Sequence, residues 1–460
     1  MMRIRLLVLA AASAAFFGCG PAAPPRTSSR PALATQWLER AKASYRAADF
    51  NDAHDAATQA LGLAAKDPEV REIAAKIALV RLEFSDAIRL TEGLEASPAR
   101  SVRGRAFWFL GDLEHAADEL EALLSDPAVK DPWAREVAAL ARSGSGRRPF
   151  DMEGSVIASI DMPRSLDKVS LGAASVVPCE LDGERILALV GTASSEVLID
   201  AASRREPSWV NLRFDRTEIR DVPALVQDLS PIARQLGLPV KAVLGTQLLR
   251  HAHVTVDRRG DQFVVRRHEA SAPPDASRVP LFYLRGGGMM LRAAVTSRED
   301  DFTPLLVDTS RQFPLFLEES TWKKAGVDIR SLTPVAGATG NVRQGTVPMF
   351  RLGGFDLPNL PAVSGIDLKE ITDGLDISLG GIIGADLLAF FRLTFADEGR
   401  FMWVEPDPSL MVPVVAAPSA GAPPSGATAP VQTPPSGLGP SHSGSSPSAA
   451  PSAHRSLGTP

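Results

Sequence analysis

With 460 residues, of which 45 % are hydrophobic and 22 % charged, the chain is long enough for two or three cores, because a single domain usually takes about 100 to 200 residues. Its 54 acidic and 49 basic residues leave a formal net charge of -5 and a pI near 5.9, which excludes the basic excess that a phosphate backbone demands; no nucleic-acid partner is expected. Two cysteines, Cys19 and Cys179, and seven histidines without any Cys/His ligand spacing point to neither a disulfide framework nor a metal, and no cofactor is expected.

The chain opens on "MMRIRLLVLAAASAAFFGCG", in which Arg3 and Arg5 precede an apolar run from Leu6 to Phe17 and then Gly18-Cys19. That order reads as an export signal over residues 1–18, and the run is shorter than the ~20 apolar residues of an ordinary membrane-spanning helix. Its end resembles the lipobox of bacterial lipoproteins, although Phe16 and Phe17 depart from it. The resemblance implies lipidation at Cys19 and a membrane partner through that anchor, since two acyl chains hold where one does not. A plain secretory signal with an incidental cysteine is the alternative. The location expected from the lipobox-like reading is the bacterial cell envelope, exported and lipid-anchored. Residues 19–35, "CGPAAPPRTSSRPALAT", read as a flexible tether.

Helical periodicity begins at once and runs over 36–145. Phe50 to Phe84 and Ala53 to Ala87 are both 34 residues apart, with Asp52 and Asp86 at the same offset, while the next step, Ala87 to Ala116, is 29. Pro68, Pro98 and Pro127 fall near the ends of these units. A period of 34 resembles the tetratricopeptide repeat, and small residues at 53, 87 and 116 allow the close helix approach of stacked hairpins. An unrelated helical bundle is the alternative. In either form the module is expected to bind or orient a protein partner, and it carries no chemistry of its own.

After the break "RSGSGRRPF" (142–150) the pattern changes to short strands separated by turn residues. A second duplication is visible there. "LALVGTASSEVLID" (187–200) aligns with "PLLVDTSRQFPLFL" (304–317), setting Gly191-Thr192 on Asp308-Thr309. Downstream, "AVLGTQLLRHAHVTVDRRGDQFVV" (242–265) aligns with "GIIGADLLAFFRLTFADEGRFMWV" (381–404), with Gly245 to Gly260 and Gly384 to Gly399 both 15 residues apart. Each copy reads as an apolar strand, a glycine, a helical step, an alternating strand, a charged turn and a last strand.

These residues resemble the retropepsin-like aspartic peptidases, in their duplicated bacterial form. Each lobe of that family carries hydrophobic-hydrophobic-Asp-Thr/Ser-Gly and later hydrophobic-hydrophobic-Gly. The chain supplies "LVDTS" with "IIG" (382–384) over 279–406, and "LVGTA" with "VLG" (243–245) over 152–270. The implied fold class is an α-helical tetratricopeptide-like array followed by a mainly-β, two-lobed aspartic-peptidase-like domain. The resemblance implies a catalytic role for Asp308 on extended polypeptide. It also implies a supporting loop in which Thr309 and Thr192 bond across to the opposite lobe, while Gly245 and Gly384 lie tightly beside the loops. Ser310 and Ala193 stand where the family prefers glycine.

In such a pair, two carboxylates share one proton, because like charges that close cannot both ionise; one then serves as base and the other as acid. Gly191 occupies the seat of the first aspartate. A single positioned group forfeits the partner's ~10²- to 10⁴-fold, so peptidase activity is expected to be weak or absent. Another carboxylate, Glu196 or Asp200, could complete the pair, or two chains could join lobe two to lobe two. Asp308 also reads as a turn aspartate that caps its own loop.

Asp308 to Gly384 spans 76 residues and Gly191 to Gly245 only 54, so lobe two is expected to keep the longer flap, with Gly337, Gly340 and Gly345 in its hairpin. "LRGGGMM" (284–290) fits a strand turn better than a phosphate loop. The segment 407–460 is too poor in large apolar residues to offset chain ordering and reads as a disordered tail. Two functions are compatible with all this: a degenerate aspartic endopeptidase using Asp308, or a binder of extended peptide in the interlobe cleft.

Overall fold

The computed structural model describes residues 30–166, 169–298, 301–336, 341–366, 368 and 376–406. The segment read as an export signal, Cys19, most of the segment read as a tether, Gly337, Gly340 and the segment read as a tail lie outside them.

Seven helices come first: α1 (Ala32–Arg46), α2 (Phe50–Ala64), α3 (Pro68–Val80), α4 (Phe84–Thr91), α5 (Ser97–Leu110), α6 (Leu113–Leu124) and α7 (Pro132–Ser143). Consecutive pairs pack as three hairpins, with α7 against α6. Aspartates cap four starts: Asp49, Asp67, Asp112 and Asp131 each accept from a backbone N–H two or three residues on, satisfying donors that the first helical turn leaves free. Pro68 and Pro132 sit in first turns, where their missing N–H costs nothing. The turn inside each hairpin passes through a left-handed residue, at Ala48 (φ 54°), Leu82 (φ 62°) and Gly111 (φ 79°). Their spacings of 34 and 29 are those of the alanines. Ala53, Ala87 and Ala116 are fully buried where the helices cross.

Two barrel-like sheets follow, and they repeat one another strand for strand. In lobe one the order 176–181, 184–190, 240–244, 197–200, 217–227, 208–214 closes on itself. In lobe two the order 288–294, 302–308, 381–384, 315–317, 355–364, 343–352 closes in the same way. The senses match as well: 184–190 runs parallel to 240–244 as 302–308 does to 381–384, and 197–200 runs parallel to 217–227 as 315–317 does to 355–364. The remaining neighbours are antiparallel in both lobes. The aligned apolar runs of the sequence are therefore the central strands, buried on both faces as their unbroken Val/Leu/Ile content requires.

A third, antiparallel sheet joins the lobes, in the order 277–280, 401–406, 391–396, 255–257, 262–266, 157–161. Each lobe gives three strands. They meet where Thr255 pairs with Thr394, their hydroxyls 2.8 Å apart and buried.

The helical array lies against both lobes. Phe50 packs against Phe282 with tilted rings, 5.0 Å between centres, and Asp49 pairs with Arg292 at 2.9 Å on the lobe-two side. On the lobe-one side the Trp209 indole donates to the Leu140 carbonyl at 3.0 Å. One continuous hydrophobic core runs from Leu38 in α1 to Val404, with a second, small cluster around Leu171, Leu189 and Leu236.

Candidate functional site

The strands 184–190 and 302–308 deliver their last residues to the same place. Thr192 and Thr309 then hold each other's loops. The Thr192 hydroxyl donates to the Val307 carbonyl and the Thr309 hydroxyl to the Val190 carbonyl, both at 2.7 Å, while each backbone N–H donates to the other's Oγ1 at 3.2 Å. All of these groups are buried, so the lattice fixes the two loops relative to one another.

Behind each loop lies a glycine with no room for a side chain. A Cβ on Gly245 would stand 2.1 Å from the Glu196 carbonyl oxygen, and one on Gly384 would stand 2.0 Å from that of Phe313. The helical steps that follow complete the support: Thr246 N–H donates to the Ser194 carbonyl and Ala385 N–H to that of Arg311.

The two seats on this frame differ. Asp308 is 5 % exposed. Its Oδ1 accepts from the Ser310 N–H at 3.0 Å and the Ser310 hydroxyl at 2.5 Å, and its Oδ2 lies 3.3 Å from Nε of Arg311. The first two are the geometry of an aspartate capping its own turn. Opposite, Gly191 offers no carboxylate, and the volume an aspartate Cβ would need is taken: Cγ1 of Val243 stands 2.2 Å from that position. By strand register the lobe-two counterpart of Val243 is Ile382. In lobe one it is Cγ1 of Val243 that stands in the seat.

Gly191 and Asp308 line one cavity of about 390 Å³ between the lobes. Ser310 and Arg311 share it from lobe two. Lobe one contributes Val243, Ser194, Leu198 and a wall formed by Gln227, Asp228 and the short helix Ser230–Leu236, through Pro231, Ile232 and Gln235. Apolar space is thus edged by amide, hydroxyl, guanidinium and carboxylate groups.

Neither of the other two carboxylates weighed from sequence lines this cavity. Glu196 is buried and turned to the helical array, its Oε1 accepting from the Trp108 indole and its Oε2 from that of Trp133, each at 3.0 Å, and from the Ser195 hydroxyl. Asp200 accepts from Leu229 N–H at 3.2 Å. The acid that does share the cavity is Asp228, which the sequence had not singled out. Arg311, one residue beyond the "DTS" motif, could have been found by extending the aligned motifs, and Val243 already stands in "VLG" (243–245) although its part in filling the seat does not show there; nothing in the sequence announces the helix Ser230–Leu236 as a wall.

Gly345 lies inside the strand Arg343–Leu352, paired with Ala362, and a Cβ there would meet Leu332 at 2.3 Å. It is a close-packing glycine. The pairing of Thr333–Pro334 with Arg343 and Gln344 closes a hairpin at the expected flap, whereas lobe one bridges the matched strands with residues 201–207 alone. Among the described residues no group of three or more His, Cys, Asp or Glu side chains is arranged to hold a metal.

No protein-family model and no curated protein matches the chain. Among solved structures it is similar to a retropepsin-like aspartic protease from Rickettsia conorii, at 18 % identity and a TM-score of 0.22 over 30 % of this chain and 96 % of that one. It is similar to an aspartic proteinase from Irpex lacteus, at 11 % identity and a TM-score of 0.36 over 56 % and 99 %. It is also similar to a TPR domain from Arabidopsis, at 21 % identity and a TM-score of 0.21 over 24 % and 92 %.

Proposed function

We propose that this protein is an exported, lipid-anchored pseudo-peptidase that holds extended polypeptide between its β lobes without cleaving it. The observation that carries this reading is the seat opposite Asp308: it belongs to Gly191 and is closed by the Val243 methyl. Asp308, already bonded to Ser310 and Arg311, finds no carboxylate in the facing seat with which to divide the roles of acid and base; the other acid on the cavity, Asp228, stands on the lobe-one wall and not in that seat. The cavity itself keeps polar groups spaced along an apolar floor, which suits main-chain recognition. Anchoring through Cys19 in the bacterial envelope is part of the proposal and rests on the sequence of residues 1–19 alone.

A second reading, a weak aspartic endopeptidase, is favoured by one feature. The Thr192–Thr309 lattice is complete, and Asp308 remains at the cavity that it frames. Incubating the purified protein with a mixed peptide library from about pH 3 to 7, beside Asp308→Asn, separates the two. Retention of peptides without cleavage is the expected outcome; cleavage that Asp308→Asn abolishes would establish the peptidase instead. Acyl-chain labelling in cells, lost in Cys19→Ala, tests the anchor.

A further inference from the structure

A second cavity, of about 380 Å³, lies where α5 and the start of α7 meet both lobes. Ala193, Ser194, Leu198 and Gln227 line both this cavity and the one at Asp308, so the two spaces flank a single stretch of lobe one. Its chemistry differs from that of its neighbour.

The acids on its wall are saturated. Asp131 accepts from the Ala134 N–H and from Arg105, and Glu196 from two indoles and a hydroxyl. The buried cation is not. Arg105 is 4 % exposed, lies with its guanidinium 3.9 Å from the centre of the Trp133 ring, and spends one Nη on Asp131. Its Nε is a buried donor with no hydrogen-bond partner. A buried N–H left open on a guanidinium is costly, and a group that can accept from it is correspondingly favoured. Stacking on Trp133 and the bond from Nη2 to Asp131 hold the guanidinium in one orientation and leave the Nε–H for a single further acceptor.

We infer that this cavity receives a carboxylate of the bound peptide, its C-terminus or an Asp or Glu side chain, at Arg105, so that the helical array reads one end of the chain that the lobes hold. The inference rests on the peptide-binding reading of the Asp308 cavity. It gives the array a role in selecting the ligand rather than in recruiting a separate protein.

The test uses the native chain and three hexapeptide libraries made without internal Asp or Glu: one with free C-termini, one amidated, and one amidated with glutamate fixed at the last position. Peptides retained from equimolar mixtures are counted by mass spectrometry. Retention of either carboxylate-bearing library at least about tenfold above the neutral amides is expected, a charge-assisted hydrogen bond contributing ~1.5–3 kcal/mol; which library leads identifies the source of the carboxylate. In Arg105→Gln, checked for an unchanged melting temperature, the preference should vanish, while in Arg185→Gln, an exposed arginine that lines neither cavity, it should persist. Equal retention of all three libraries overturns the carboxylate site and leaves cleft binding standing. Retention of none overturns both. Because the comparison among libraries is made on the unaltered protein, the inference stays testable even if Arg105→Gln fails to fold.

Discussion

At the scale of single residues, the strongest constraint is the reciprocal bonding of Thr192 and Thr309. Thr192→Val leaves the Thr309 N–H and the Val307 carbonyl without their partner, and a buried polar group so orphaned costs roughly 1–3 kcal/mol. Thr309→Val does the same to Thr192 N–H and Val190. Both single variants should lose stability in urea titrations, and the double variant should lose less than the sum by about 0.5 kcal/mol or more, because loops freed by the first change no longer depend on the second. Strict additivity would mean that the two halves are independent. Asp386 offers a pH test. Burial holds its carboxyl above the ordinary range, so between its unfolded and folded pKa values the native state binds more protons than the unfolded one. Stability contributed by Asp386 therefore falls as pH rises through that interval, and the cost is fully present only above it. Asp386→Asn should raise the melting temperature at pH 7 and raise it less at pH 4; an equal rise at both would refute the assignment. Burial also pushes the Cys179 thiol up to about 12, with the neighbouring Glu180 adding to the effect. Iodoacetamide at pH 8 should leave the Cys179 peptide unlabelled until the protein is denatured.

At the scale of the element, the strand 240–244 decides whether the lost seat can be refilled. Gly191→Asp alone forces the Val243 side chain to turn or the strand to shift, an overpacking change that typically costs ~1–3 kcal/mol. Adding Val243→Ala opens the space that the new Cβ requires. The double variant should recover part of the lost stability and should show peptide cleavage at acid pH about 10²-fold above the native chain's background, the low end for one added acid–base group. A double variant that folds and stays inert would show that more than the carboxylate is missing. The strand and its duplication were legible in the sequence because a parallel central strand buried on both faces must be an unbroken aliphatic run, and because Gly245 and Gly384 admit no other residue at that approach. The rotamer of Val243 was not legible: "AVLG" and "GIIG" look alike, and only packing shows which methyl points into the seat. The direction of Glu196 was not legible for a similar reason. Its place five residues after Gly191 put it near the cleft in sequence, but two tryptophans 88 and 63 residues upstream draw it to the other side.

At the scale of the molecule, the helices and lobes that composition separates cleanly turn out to share their core. The period of 34 and the shift to short strands are local signals, so the elements and their order could be read in advance. The docking between them is made by pairs such as Asp49 with Arg292, 243 residues apart, and no local pattern encodes such a pair. Its energetic consequence is direct. Phe50 lies on Phe282, Trp108 and Trp133 lie on Glu196, and a Cβ on Gly286 would stand 2.3 Å from the Phe109 ring, so the array cannot leave without exposing apolar surface and stripping the donors from a buried carboxylate on the lobes. Independent domains unfold in separate steps, whereas modules that bury one another lose stability together. Calorimetry should accordingly show one transition for the native chain, with the van't Hoff and calorimetric enthalpies equal. Glu196→Gln should lower its midpoint and red-shift tryptophan emission without splitting the peak, since it weakens one contact among several. Deleting residues 30–147 should leave lobes that bind a hydrophobic dye and aggregate. Two resolved transitions in the native chain, the first insensitive to Glu196→Gln, would instead mark the array as a separate module that merely rests against the β lobes, and would remove the physical basis for its reading one end of a bound peptide.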